Sequence, residues 1–189
     1  MKRILLFASG TGSNVENIIQ YFKKNNAVAI VGVFSNNPEA KVLEKARDQN
    51  INSLVFNRTE LNDGVVLKAI EKLQPDLIVL AGFLWKMPEE IVHQYYNKII
   101  NIHPALLPKH GGKGMYGSKV HQAVFENKEP ATGITIHYVN EHYDEGEFIF
   151  QQSVNVEDCN SPEDIAKKVQ LLEHEHFPKV IAEILNPKS

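Results

Sequence analysis

The sequence predicts an α/β protein built on an open, mostly parallel sheet, with helices on both faces and an antiparallel strand pair near the C-terminus. Three observations carry that prediction. Short apolar runs alternate with helical patterns through the first half of the chain, as in successive βαβ units. One run, DLIVLAG (76–82), is continuous in hydrophobicity, which fits a strand covered on both faces. After Gly117 the pattern changes, and two neighbouring segments alternate apolar with polar residues, as antiparallel strands do.

Each element has its own warrant. RILLFA (Arg3–Ala8) reads as a buried strand, and Asn14–Lys24 as a helix with Val15, Ile18, Ile19 and Phe22 on one face. AVAIVGVFS (27–35) is the next strand, Glu39–Gln49 the next helix, and SLVF (53–56) a weaker strand before a helix over Asn62–Leu73. DLIVLAG is the fourth strand, and a short helix starts near Pro88, a favoured first helical residue. KIINIH (98–103) is the fifth strand. Short connections with right-handed crossovers make this a Rossmann-like sheet. A helix over Ser118–Asn127 precedes the two alternating strands. TGITIHYV (132–139) puts Ile134, Ile136 and Tyr138 on one face, and EFIFQQSVNV (147–156) aligns Phe148, Phe150, Val154 and Val156. The joining stretch NEHYDEG suits an antiparallel pair. The last helix opens with Ser161 as N-cap, Pro162 in first position and acids in the first turn, and turns Ile165, Val169, Leu172 and Val180 inward. With no repeat, linker or low-complexity segment, residues 1–189 are expected to form a single domain.

The totals narrow the function. A net charge of −3 with interspersed signs leaves no concentrated basic patch, so neither nucleic acid nor a membrane surface is expected as a partner. Cys159 is the only cysteine; no internal disulfide can form, which favours a reducing compartment. The apolar run Ile4–Ala8 is too short for a signal-peptide core and leads into a glycine loop. The longest uncharged apolar stretch, Leu77–Trp85, falls well short of the about 20 residues of a membrane span. A cytoplasmic location is the expectation.

Ligands of open parallel sheets gather beyond the carboxyl ends of the strands, and Ser9–Asn14, Gly82–Met87 and Asn101–Gly114 all fall there. In SGTGSN, Gly10 and Gly12 allow a positive φ and a close approach of backbone, while Ser13 and Asn14 open a helix whose free N–H groups favour an anion. Val15 stands where a dinucleotide fingerprint needs its third glycine, and no GK[ST] follows. A plain βα turn capped by Ser or Asn is the competing reading. In NIHP, Asn101 and His103 project from one face of a strand, roughly 6.5 Å apart. An amide donor and an imidazole so placed can hold the oxyanion of a carbonyl under attack; they can equally satisfy loop backbone. Asp144 in HYDEG is a partner that would raise the pKa of His103, although Asp144, Glu145 and Glu147 also read as solvated turn acids. His93, His110, His121, His137 and His142 default to surface or core roles, and His174 and His176 diverge on their helix. No metal site is expected, because there is no HExxH and no cysteine cluster.

In that order along nearly the whole chain, SGTGSN, LAGFLWKM, NIHPALLP, HYDEG and VQLLEHEHFP resemble the phosphoribosylglycinamide formyltransferases. NIHPALLP is similar to the signature of the superfamily of 10-formyltetrahydrofolate transferases and hydrolases; the glycine loop and the length point to the phosphoribosylglycinamide branch, since relatives acting on methionyl-tRNA or hydrolysing the folate carry a further domain. The resemblance implies transfer of a formyl group from 10-formyltetrahydrofolate to the amine of 5′-phosphoribosylglycinamide, in purine biosynthesis. It implies that Gly12, Ser13, Asn14 and Glu173 bind the ribonucleotide. It places Leu84, Trp85, Lys86, Met87, Asn101, Val139 and Tyr143 against the folate, with Arg58 at its tail, and makes Asn101, protonated His103 and Asp144 the catalytic set. Small-molecule partners and a monomer or homodimer follow. A deformylase or sugar-amine formyltransferase, and a ligand-binding module without turnover, are the alternatives. Trp85 and Lys86 stand where the family has arginine and an apolar residue, and Glu145 and Glu147 where it has a small residue and proline or alanine. The loop KHGGKGMYGSK (109–119) is longer than in many relatives and reads either as a lid or as a surface insertion.

Overall fold

Residues 1–186 are described by the computed structural model. They alternate as β1 (Lys2–Phe7), α1 (Ser13–Phe22), β2 (Val28–Ser35), α2 (Val42–Asp48), β3 (Ser53–Val55), α3 (Arg58–Asn62) and α4 (Val65–Leu73). Then follow β4 (Leu77–Leu80), α5 (Glu89–Gln94), β5 (Ile99–His103), α6 (Ser118–Glu126), β6 (Ala131–Tyr138), β7 (Phe148–Asn155) and α7 (Pro162–Leu185). The sheet runs in the order β3-β2-β1-β4-β5-β6-β7. β1 to β5 pair in parallel, and β6 and β7 are antiparallel additions. The α/β class and the antiparallel pair are as the sequence predicts.

Both faces of the sheet are covered, which explains the unbroken apolar runs. Side chains alternate across a strand, so Ile4 and Leu6 enter one core with residues of α1 and α7, while Leu5 and Phe7 enter a second with residues of α4 and α5. Phe7 anchors the second core edge-on against Phe34, Phe56 and Phe83, with ring centroids 5.2, 5.9 and 5.4 Å away.

Two helices differ from expectation. In place of one helix over Asn62–Leu73 there are α3 and α4, separated by Gly64 at φ 78°. The reason is local: Asn57 and Glu60 form a reciprocal capping box that nucleates α3 early, and the left-handed glycine then ends that run. α2 begins at Val42 rather than Glu39. Here Asn37 forms an Asx turn, its side chain accepting from the Glu39 N–H at 3.0 Å, and this holds the chain in a turn first.

Candidate active site

At β1 and β4 the chain leaves the sheet centre in opposite directions, the topological switch point at which α/β sheets open a crevice. A cleft of about 520 Å³ lies there, lined by the ends of β1, β4 and β5, the start of α1, loop 109–119, the β6–β7 connection and α7. Ser9 ties the strand ends together: its N–H donates to Gly82 O at 3.0 Å, and its hydroxyl donates to Asn36 Oδ1 at 2.6 Å while accepting from Leu84 N–H at 3.0 Å.

Gly12 starts α1 at φ 69°, and a Cβ there would lie 2.4 Å from Val42 Cγ2. Only glycine meets both constraints. No side chain caps α1, so the N–H groups of its first turn are left for a ligand, with the helix dipole favouring an anion. Gly12, Ser13 and Asn14 all line the cleft, as does Glu173 from α7. Asn14 donates through Nδ2 to Glu173 Oε2 at 2.8 Å, while its Oδ1 is buried without a partner. Burial pushes the Glu173 carboxyl above the usual glutamate range, and the Asn14 bond only partly offsets this.

Asn101 and His103 face the same cleft from β5, and antiparallel pairing sets His137 opposite Asn101 and Thr135 opposite His103. His137 Nδ1 lies 2.8 Å from Tyr138 O, which can only accept. A neutral His137 therefore turns its Nε2 lone pair to the Asn101 Nδ2–H, 3.2 Å away, and fixes the amide. His103 likewise donates from Nε2 to His110 O at 2.8 Å, which leaves Nδ1 facing Asp144 Oδ2 at 3.5 Å. Asp144 also accepts the Gly112 N–H at 2.9 Å and lies 3.6 Å from His137 Nε2. Its backbone is left-handed, φ 58°. The turn is tight enough that a Cβ on Gly146 would fall 1.6 Å from Tyr138 O. Strain of this kind persists only where surroundings enforce it.

The charge state of His103 differs from expectation. From sequence, Asp144 is expected to raise the His103 pKa; in the structure the pKa is lowered, because burial of a ring that is only 3% exposed outweighs both the Asp144 carboxylate and the bond to the His110 carbonyl, and the neighbouring His137 and His110 rings add to the depression. Asp144 itself is held below the usual aspartate range: burial works against this, but the neighbouring His137 and His103 rings and the Gly112 N–H prevail.

Residues whose sequence default is a surface or core role also belong to the cleft. His137 is bonded to Asn101 and sits beside Asp144 instead of serving as anonymous core. His121 and His142 line the cleft, and His121 Nδ1 is buried without a partner. Thr135, fully buried, accepts from Leu107 N–H at 3.0 Å and donates to Ala105 O at 2.7 Å. Gln151 Nε2 then bonds both Thr135 Oγ1 and Leu107 O. That brace holds the exit from β5. The available signal was the polar Thr135 and His137 within a strand otherwise rich in isoleucine.

Leu84, Trp85, Lys86, Met87, Val139 and Tyr143 line the other end of the cleft. Met87 is buried, Leu84 is exposed, and Lys86 Nζ lies 3.7 Å from Glu89. Arg58 is not on the cleft wall; its guanidinium stacks 4.1 Å over the Trp85 ring. Glu145 and Glu147 do not line the cleft, whereas Gly112, Gly114, Met115, Tyr116 and Gly117 do, so loop 109–119 forms a wall rather than a looped-out surface insertion. Among the described residues no group of three or more His, Cys, Asp or Glu is placed to hold a metal ion.

Comparison with known proteins identifies the family. The sequence profile of the formyl transferase family matches residues 2–181. The phosphoribosylglycinamide formyltransferase of Bacillus subtilis (strain 168) is 34% identical, over 98% of this chain and 95% of its own length. That of Escherichia coli (strain K12) is 36% identical, over 95% and 85%. The chloroplastic phosphoribosylglycinamide formyltransferase of Arabidopsis thaliana is 38% identical. The chain spans 65% of the length of that protein and 60% of its Vigna unguiculata counterpart. The crystal structure of the Bacillus halodurans phosphoribosylglycinamide formyltransferase superposes with a TM-score of 0.89 at 30% identity, covering 98% of this chain and 96% of that one.

Proposed function

The chain belongs to the formyl transferase family, among the phosphoribosylglycinamide formyltransferases, and from that premise we propose that it transfers the formyl group of 10-formyltetrahydrofolate to the amine of 5′-phosphoribosylglycinamide. The products are the formylglycinamide ribonucleotide and tetrahydrofolate, and the step belongs to purine biosynthesis. The observation that carries this reading is the joining, in one cleft, of an uncapped helix start suited to phosphate with the Asn101–His103–Asp144 set.

The roles follow from the chemistry. The first turn of α1, with Gly12, Ser13 and Asn14, takes the phosphate, and Glu173 takes polar groups of the ribonucleotide. Leu84 to Met87, Val139 and Tyr143 take the pterin, and the Arg58–Trp85 stack lies at the folate tail. The substrate amine then attacks the formyl carbon, forming a C–N bond and moving the carbonyl pair onto oxygen. Asn101 gives one Nδ2–H to His137 and keeps the other for that oxyanion. His103 starts neutral rather than as a standing cation, since its pKa lies below the ordinary 6.5. The growing negative charge and ionised Asp144 favour its protonated form, so the ring takes the proton shed by the amine through a water molecule. It returns that proton to N10 of the folate as the C–N10 bond breaks. No metal enters this scheme.

Residues 1–189 act as one domain in this reading, as a monomer or homodimer on small-molecule substrates. Among the described residues no helix is long and apolar enough to cross a membrane. The lone Cys159, which leaves no internal disulfide to form, supports a reducing compartment such as the cytoplasm.

One assay tests the function. Purified protein with 10-formyltetrahydrofolate and the ribonucleotide is expected to form tetrahydrofolate only when both are present, and the joint Ser13→Ala, Asn14→Ala variant is expected to raise KM for the ribonucleotide. Release of formate without the ribonucleotide, at a rate the double variant leaves unchanged, would establish a folate hydrolase instead.

A further inference from the structure

Behind His103, on the side away from the cleft, lies a cluster that the scheme above does not use. Glu129 accepts through Oε1 from His110 Nε2 at 3.1 Å and through Oε2 from Lys109 Nζ at 2.8 Å. The side chains of His110 and Glu129 are only 10% and 12% exposed, although Lys109 is open to solvent. Glu129 has a firm base. Its N–H donates to Val124 O at the end of α6, and the next residue, Pro130, accepts from Val156 N–H across the start of β6.

What Glu129 grips is the stretch His110–Gly112, and this stretch touches both members of the His103–Asp144 pair. The His110 carbonyl takes the His103 Nε2–H, and the Gly112 N–H reaches Asp144 Oδ2. The stretch is not relaxed: His110 sits at φ 56° and Gly112 at φ 90°. Left-handed backbone is uncommon at a non-glycine residue, though histidine adopts it more readily than most, and here the Glu129 carboxylate hydrogen-bonds the His110 side chain and holds it.

We propose that Glu129 is a positioning residue for formyl transfer: by holding His110 in its left-handed conformation, it aims one carbonyl at His103 and one N–H at Asp144, fixing the tautomer and orientation of the ring. The inference rests on the formyl-transfer reading for its kinetic consequence, but not for its structural one. The groups facing the His103 ring are Asp144 from the β6–β7 connection, His137 from β6, His121 from α6 and His110 from its own loop; Glu129 acts through the last of these.

The test has a kinetic arm and a spectroscopic arm, both on the full chain. Glu129→Ala is expected to lower kcat about tenfold, the effect of one lost hydrogen bond, with both KM values within about twofold. ¹⁵N NMR of the imidazole rings is expected to show neutral His103 as the Nε2–H tautomer in the unaltered protein. In the variant a tautomer mixture should appear, with a lower titration midpoint, because the His110 carbonyl no longer supports the charged ring. A double-mutant cycle isolates the route. Glycine adopts the left-handed backbone without help, so adding Glu129→Ala to His110→Gly should cost less than about twofold relative to His110→Gly itself. If Glu129→Ala does not fold, the isosteric Glu129→Gln, which loses charge but keeps shape, should show the same changes in smaller measure. An unchanged His103 tautomer and midpoint in a folded variant would overturn the proposal, whatever happens to its melting temperature. So would an equal loss from Glu129→Ala in the unaltered and the His110→Gly backgrounds. Absence of formyl transfer by the unaltered protein would instead overturn the function, leaving the NMR arm to decide the positioning.

Discussion

Burial removes the proton from His103 while Asp144, 3.5 Å from its Nδ1, draws it back, and burial prevails. An NMR titration should therefore give His103 a midpoint below 6.5, and Asp144→Asn should lower it further by removing the largest opposing charge. The sign for stability follows. Between the folded and unfolded pKa values the unfolded chain binds more protons, so this residue weakens the fold as pH falls from 6.5 through the depressed value. Asp144 acts in the same direction at lower pH, where its own depressed pKa is crossed. Much of this was legible from sequence in kind. The period of two along β5 places Asn101 and His103 on one face, and HYDEG supplies the carboxylate. The sign of the His103 shift was not legible, because the burial of the ring is set by tertiary packing that the sequence does not state. Nor was His137, whose place opposite Asn101 comes from the β5–β6 register.

At the scale of elements, the start of α1 and its packing on α2 and α7 make the phosphate end of the cleft. Gly12→Ala would force a Cβ into Val42 at a positive φ, with an expected loss of about 1–3 kcal/mol in denaturant unfolding and weaker ribonucleotide binding. Glu173 is the opposite case. Its raised pKa means that ionising it within the fold has a cost, so stability is lost as pH rises through that value and stays lost at neutrality. Glu173→Gln should raise the melting temperature at pH 7, have little effect near pH 4, and weaken binding of the ribonucleotide. A rise at neither pH would show that the carboxylate is not strained. The helices themselves were readable from apolar spacing and caps. The split between α3 and α4 was missed because the apolar spacing of 62–73 outweighed the Asn57–Glu60 box and Gly64, which were both visible in the sequence.

For the molecule as a whole, the strand order turns a list of motifs into one site. SGTGSN, LAGFLWKM and NIHP are far apart in the chain, yet β1, β4 and β5 are neighbours and deliver all three to the same edge. The sequence pointed to that edge through the rule for parallel sheets, but the order itself needed the structure, since apolar runs do not say which strands pair. The same sheet must stay rigid for the site to hold. Phe7→Ala, which opens a cavity among Phe34, Phe56 and Phe83, should cost about 3–5 kcal/mol of unfolding free energy. The central claim is that Asn101 and His103 meet charge that exists only while the formyl group is between nitrogens. The turnover number of Asn101→Ala, with both substrates saturating, tests it most directly. The account predicts a fall of roughly 10²–10³ in kcat with little change in either KM; a kcat near that of the unaltered protein would contradict it.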